Sequence, residues 1–170
     1  MEYMQDTLAP YAALKKRDLI LFPHRIAPEK QVEIFRDLAA QLPEYEFIVC
    51  QDQQLTKHEY HTLLGQAKLV FSANLQETLG ISMYEGALVG AIPMVPNRLS
   101  YQEMFDDKFR YPNKWTESWD SYIANRAKLV RTIRAEMDQY NDEVRALIRE
   151  QADKLTKKFF SARKLLDNVK

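Results

Sequence analysis

Four short apolar runs recur along this chain, Asp18-Leu-Ile-Leu-Phe22, Tyr45 to Cys50, Lys68 to Ser72 and Ile92 to Val95, each followed by a stretch with helical spacing or turn chemistry. Runs that are apolar at consecutive positions suit strands covered on both faces. Helices in the intervals between them make crossover connections, and a sheet joined by crossovers is parallel. After the first run, Pro28 takes a position that a first helical turn tolerates, with Glu29 beside it. Val32, Ile34, Phe35, Leu38, Ala39 and Leu42 then give one helix face, which stops before Pro43. Leu55 to Gln66 reads as a second helix with Thr56 at its N-cap, and the third runs from about Leu79 to Val89.

Right-handed crossovers wind such units into an α/β fold, a Rossmann-like parallel sheet flanked by helices. After Ser100 the pattern changes. Tyr101 to Phe105 reads as a short helix, and Phe109-Arg-Tyr-Pro112 as a fifth, edge strand. From Glu117 the chain is charged and helical with few breakers; Tyr122, Ala127, Val130, Ile133, Met137, Val144, Leu147 and Ile148 supply a partial apolar stripe. The segment from Phe159 to Leu166 is amphipathic again. The expected organisation is a lead-in or interdomain linker over 1–16, a sheet domain over 17–115, and a long helical C-terminal region over 116–170 that completes the same domain.

At 170 residues and 46% hydrophobic content the chain has the length of one domain and enough apolar residues for a core. Formal net charge is zero, so no field over the whole surface draws it to nucleic acid or membrane. The single Cys50 lies inside an apolar run and has no partner for a disulfide or a cysteine-based metal site, which suits a reducing compartment. No apolar stretch approaches the ~20 residues of a membrane helix, and the start lacks a signal-peptide pattern. A soluble, cytoplasmic protein is the expectation.

The residues able to carry chemistry follow the strands, where ligands of open α/β sheets bind. Pro23-His24-Arg25-Ile26-Ala27-Pro28-Glu29-Lys30 places Arg25 and Lys30 on either side of a helix start, able to converge on an anion, with His24 bordering the loop. A solvated basic pair is the plainer reading, but a cation at a helix N-terminus opposes the dipole and so favours an anionic partner. Glu77 and Glu85 lie eight apart and bracket Gly80 at a strand-to-helix turn. Either carboxylate also reads as ordinary charge near a helix start. A glycosidase-type dyad fits poorly, and a carboxylate near each end of an extended ligand fits better. Gly80 would let amides approach a phosphate closely. Asn97 and Ser100 read as turn and cap chemistry, while Arg98 stays open as a ligand contact. His58 and His61 lack the i, i+4 zinc spacing, so no metal site is expected. Trp115 and Trp119 read as packing at a helix start.

Taken in order, these elements resemble the C-terminal, donor-binding half of GT-B glycosyltransferases, in particular the retaining family-4 type. An Arg–Lys loop after the first strand is matched by Arg25 and Lys30, a Glu-(seven residues)-Glu element by Glu77 and Glu85, and a glycine-then-proline strand start by Gly90 and Pro93. The family's Glu-Gly-Phe-Gly opening appears here as Glu77-Thr-Leu-Gly80, with Thr78 in place of a glycine. Phe22-Pro-His-Arg25 and Pro96-Asn-Arg-Leu-Ser-Tyr101 bring the match closest to the branch that modifies queuosine in tRNA. The likeness spans roughly 17–112.

The resemblance implies a nucleotide-diphosphate sugar (UDP-, GDP- or ADP-linked) as donor, no essential metal, and no further cofactor. It implies that Arg25 and Lys30 neutralise the diphosphate, with the Gly80 and Ile81 amides adding to them. Glu85 would hold ribose hydroxyls, Glu77 the transferred sugar, and Cys50–Leu55 would border the base. It also implies an N-terminal acceptor-binding half or a partner chain as the other wall of the cleft, with a nucleic-acid acceptor as one option. A non-catalytic nucleotide-binding or interaction module with the same fold is the rival reading. Nicotinamide, flavin and P-loop chemistry are disfavoured, because neither Gly-x-Gly-x-x-Gly nor Gly-Lys-Ser/Thr occurs.

Overall fold

The computed structural model describes residues 2–76 and 79–160. Helix α1 (Glu2–Leu8) and a 3-10 turn (Ala9–Ala13) precede β1 (Arg17–Phe22). There follow α2 (Val32–Gln41), β2 (Glu46–Val49), α3 (Lys57–Gln66), β3 (Ala67–Phe71), α4 (Ile81–Leu88), β4 (Ile92–Pro96), α5 (Tyr101–Met104) and β5 (Arg110–Tyr111). Two longer helices, α6 (Trp119–Asp138) and α7 (Asp142–Leu155), lead into a π-helical turn at Thr156–Phe160.

The five strands pair in the order β2-β1-β3-β4-β5, and every pairing is parallel. Ile20 lies on an interior strand, aligned with Phe47 on one side and Leu69 on the other, and Leu69 on the middle strand is in turn aligned with Ile92. Leu19 to Phe22 are all buried, as a central parallel strand covered on both faces requires. The chain moves from β1 outward to β2, then crosses over to β3 on the other side of β1. With right-handed crossovers this reversal puts α2 on one face and α3 and α4 on the other. The contacts agree: α2 packs on α6, while α4 packs on α1, α3 and α7.

Local chemistry sets the boundaries. Thr56 and Glu59 form a reciprocal capping box at the start of α3, which fixes that helix at the position the sequence indicated. The helical C-terminal region is two helices rather than one continuous run, because Asn141 caps α7 through the Val144 amide at 2.9 Å. The buried stripe also differs from expectation. Leu129, Ala152 and Leu155 face the core with Tyr122, Ile133, Met137 and Ile148, whereas Ala127 and Leu147 are exposed. Ala127 and Leu147 lie to the side of the row that Leu129, Ile133 and Met137 in α6, and Ile148, Ala152 and Leu155 in α7, turn to the core.

The lead-in is also more than a connecting segment. Leu8 is buried in the core, and Tyr11 packs so tightly on α3 that a β-carbon on Gly65 would lie 2.5 Å from the Tyr11 carbonyl oxygen. Lys16 follows, donating to the Val89 carbonyl at 2.6 Å, its ammonium pushed down to about 7 by burial and by the nearby Arg145 charge.

Candidate functional site

A parallel sheet in which the strand order reverses opens a crevice where the reversal occurs, at the carboxyl ends of the two strands that part. Here those strands are β1 and β3. The loop leaving β1 is Pro23 to Ala27, followed by a tight 3-10 turn at Pro28–Lys30 and by Gln31 in the left-handed region at φ 53°. The loop leaving β3 starts at Ser72 and leads to α4.

Buried hydrogen bonds lock these two loops together. Gln31 donates through Nε2 to the Ala73 carbonyl at 2.7 Å and the Thr116 carbonyl at 2.6 Å, and the Leu75 amide donates to the Glu29 carbonyl at 2.7 Å. Arg98 completes the lock. Its Nε donates to the Asn74 carbonyl at 2.9 Å, Nη1 to the Asn113 carbonyl at 3.0 Å, and Nη2 to the Ala73 and Thr116 carbonyls at 3.0 and 3.2 Å. The guanidinium that the sequence offered as a ligand contact is therefore taken up by main-chain carbonyls and supports the loop from below. Gln31 was not singled out from sequence, because nothing local marks a glutamine as the side chain that joins two strand-end loops.

Two clefts open along the rim of these loops. One, of about 300 Å³, is lined by Pro23, His24, Arg25, Lys30, Leu79, Ile81 and Ser82. It brings together two cations from the β1 loop and the first turn of α4, whose dipole adds positive potential. Arg25 is 73% exposed and pairs with Glu29 at 3.6 Å. The other cleft, of about 350 Å³, continues past Pro23, His24 and Arg25 to Cys50, Gln51, Gln53, Leu55, Thr56 and Tyr60. Its walls are more apolar, and burial pushes the Cys50 thiol up to about 12, so it sits there as a neutral group. The shared residues make one groove with a cationic end and an apolar end. A smaller cavity of about 130 Å³ between β4, β5 and α6 lies away from this crevice.

His24 stands where the clefts meet. It is 5% exposed, edge-on to Phe22 at 5.0 Å, and its imidazole is pushed down to about 3, first by burial and then by the neighbouring Lys30 charge. Glu85 is carried one turn into α4. Its carboxyl is pushed up to about 7 by desolvation, and Oε2 lies 4.0 Å from His61 Nε2 on α3. The Tyr60 hydroxyl is raised by burial and by this same carboxylate.

Gly80 has a packing role. A β-carbon there would lie 2.8 Å from Tyr101 Cε1, and the Gly80 amide donates to Met104 Sδ at 3.4 Å. The Ile81 amide donates to the Leu79 carbonyl at 2.7 Å. Both amides expected to face a phosphate thus have internal acceptors. Tyr101 in turn joins Ser72 Oγ at 2.9 Å and Asn74 Nδ2 at 3.1 Å under the β3 end. The expectation for Glu77 lies outside the described residues. Among the described residues there is no group of three or more His, Cys, Asp or Glu side chains able to hold a metal ion, and no helix long and apolar enough to cross a membrane.

No protein-family model matches the chain. Its sequence is similar to the tRNA-queuosine alpha-mannosyltransferase of Drosophila melanogaster, 22% identical over 148 residues, taking in 71% of this chain and 39% of that protein. Its structure is similar to the pneumococcal O-GlcNAc transferase GtfA, solved with UDP and GlcNAc, with a TM-score of 0.66 at 17% identity over 91% of this chain and 36% of that one. The chain spans well under half the length of either. Its fold is that of a GT-B glycosyltransferase-like C-terminal domain, an α/β sheet of five parallel strands flanked by helices.

Proposed function

We propose that the chain is the donor-binding domain of a retaining glycosyltransferase, which moves a sugar from a nucleoside-diphosphate sugar to an acceptor. The observation that carries this reading is the groove at the β1/β3 switch point, whose cationic end and apolar end match a diphosphate and a base in order. Arg25 and Lys30 neutralise the diphosphate and stabilise the negative charge that grows on it as the sugar bond breaks. The amides around Gly80 and Ile81 join in by exchanging Met104 Sδ and the Leu79 carbonyl for phosphate oxygens. The base lies toward Leu55 and Tyr60. Glu85 accepts from ribose hydroxyls, and Glu77 from hydroxyls of the transferred sugar.

GtfA was solved with UDP, which makes UDP the first nucleotide to try, with GDP and ADP beside it. No step of this reading uses a metal. An N-terminal domain or partner chain supplies the acceptor wall, and a modified nucleoside in nucleic acid is the acceptor class suggested by the tRNA-queuosine relative. The setting is cytoplasmic. The test compares nucleoside diphosphates with their sugar nucleotides on the wild type, Glu85→Ala and Glu77→Ala. Glu85→Ala is expected to weaken both ligand types, and Glu77→Ala to weaken only the sugar nucleotide. Equal binding of both by all three proteins contradicts the assignment.

A further inference from the structure

Where the cationic and apolar clefts meet, the wall holds a buried polar atom that no described residue bonds. Among the described residues His24 Nε2 has no hydrogen-bond partner, although the residue is 5% exposed and lines both clefts. With Nε2 unpartnered, Nδ1 is the ring nitrogen left to engage the Phe71 main chain, and because that contact favours the protonated ring it runs to the carbonyl oxygen. A carbonyl oxygen only accepts, so Nδ1 carries the proton, and in a neutral imidazole Nε2 is then a bare lone pair. Burial and the Lys30 charge oppose a second proton, which keeps the ring neutral. The Phe22 ring, edge-on at 5.0 Å, holds the imidazole in this orientation.

A bare lone pair repels phosphate oxygens and attracts an O–H. The anion at this junction therefore belongs to Arg25 and Lys30, and His24 is matched to a hydroxyl. Resting on the nucleotide-sugar reading above, a diphosphate at Arg25 and Lys30 with its base toward Leu55 and Tyr60 has its ribose at the junction. We propose that His24 Nε2 accepts a hydrogen bond from a ribose hydroxyl of the bound nucleotide and so makes the site prefer ribonucleotides to their deoxy forms.

Two measurements test this on the whole chain. Ring-nitrogen NMR of the free protein is expected to find His24 protonated at Nδ1 and bare at Nε2; a proton on Nε2 overturns the proposal whatever the chain binds. Calorimetric titration then compares UDP, GDP and ADP with their 2′-deoxy and 3′-deoxy forms. The wild type is expected to bind a ribonucleotide about tenfold more tightly than one of its deoxy forms, the scale of one hydrogen bond. His24→Phe should narrow that ratio to less than about twofold while still binding, and His24→Gln, which keeps an acceptor, should restore part of it. An unchanged ratio in His24→Phe, or none in the wild type, overturns the role of His24 and leaves the nucleotide site standing. Failure of the wild type to bind any of the three ribonucleotides overturns the site itself and this proposal with it.

Discussion

Glu85 and His61 face each other across the α3–α4 contact, Oε2 to Nε2 at 4.0 Å, with side chains 16% and 13% exposed. The distance is too long for a hydrogen bond, so His61 leaves the carboxylate's acceptor capacity unspent in a desolvated place. Such a group costs the fold something, and a ligand that brings O–H donors would offset that cost.

That cost has a pH signature. Glu85 titrates near 4.5 in an unfolded chain and near 7 in the fold. Between those values the folded chain keeps a proton that the unfolded chain has released, so stability falls as pH rises through the window. Glu85 thus contributes fully below about pH 4.5, and the contribution is gone above about pH 7. Glu85→Gln, which cannot ionise, is predicted to be more stable than the wild type by about 3 kcal/mol at pH 8 and by no more than about 1 kcal/mol at pH 5. Burial lowers the His61 pKa, which makes stability rise with pH, but that contribution is common to both proteins. Urea unfolding at the two pH values measures the difference; the same variant should bind nucleotide more weakly, trading function for stability.

Arg98 should behave as a structural support. Its guanidinium donates to the carbonyls of Ala73, Asn74, Asn113 and Thr116, and Arg98→Ala removes all of these bonds at once, leaving Gln31 as the side-chain donor to Ala73 and Thr116. A loss of about 3 kcal/mol in unfolding free energy is predicted. Arg98→Lys should recover little, because one ammonium cannot span four carbonyls in a planar fork.

Gly80→Ala tests whether packing or ligand approach requires the glycine. The new β-carbon would meet Tyr101 Cε1 at 2.8 Å, inside a buried network that also holds Ser72 and Asn74. Destabilisation of about 1–3 kcal/mol is predicted from thermal unfolding, with Tyr101→Leu in the same chain relieving part of it.

Much of this was legible in the sequence for a simple reason. Strands such as Leu19 to Phe22 are buried on both faces, so they read as unbroken apolar runs, and Thr56 with Glu59 marks a helix start with its own side chains. Arg25, Lys30 and His24 could be placed together in one cleft because a strand end followed by Pro28 says where the loop lies. What stayed hidden depends on long-range geometry. Arg98 and Gln31 act on carbonyls contributed by two separate segments, Ala73–Asn74 and Asn113–Thr116, and no spacing reveals that convergence. Leu8 closes a seven-residue helix and Tyr11 lies in the 3-10 turn after it, elements too short for a periodicity to show. The stripe over α6 and α7 was misplaced at Ala127 and Leu147 because each lies beside, not on, the row of positions that faces the core, and an apolar residue at a helix flank looks the same in sequence as one at its centre.

The most direct test of the donor site is calorimetric titration of the wild type and Arg25→Ala with UDP, GDP and ADP. Arg25 is 73% exposed and its ion pair among the described residues is with Glu29, so its removal should change unfolding free energy by less than about 0.5 kcal/mol. The account predicts saturable binding of one nucleotide by the wild type, weakened about tenfold or more in Arg25→Ala, as the loss of a charged phosphate contact requires. Binding of all three with equal affinity in both proteins, or of none by the wild type, would contradict it.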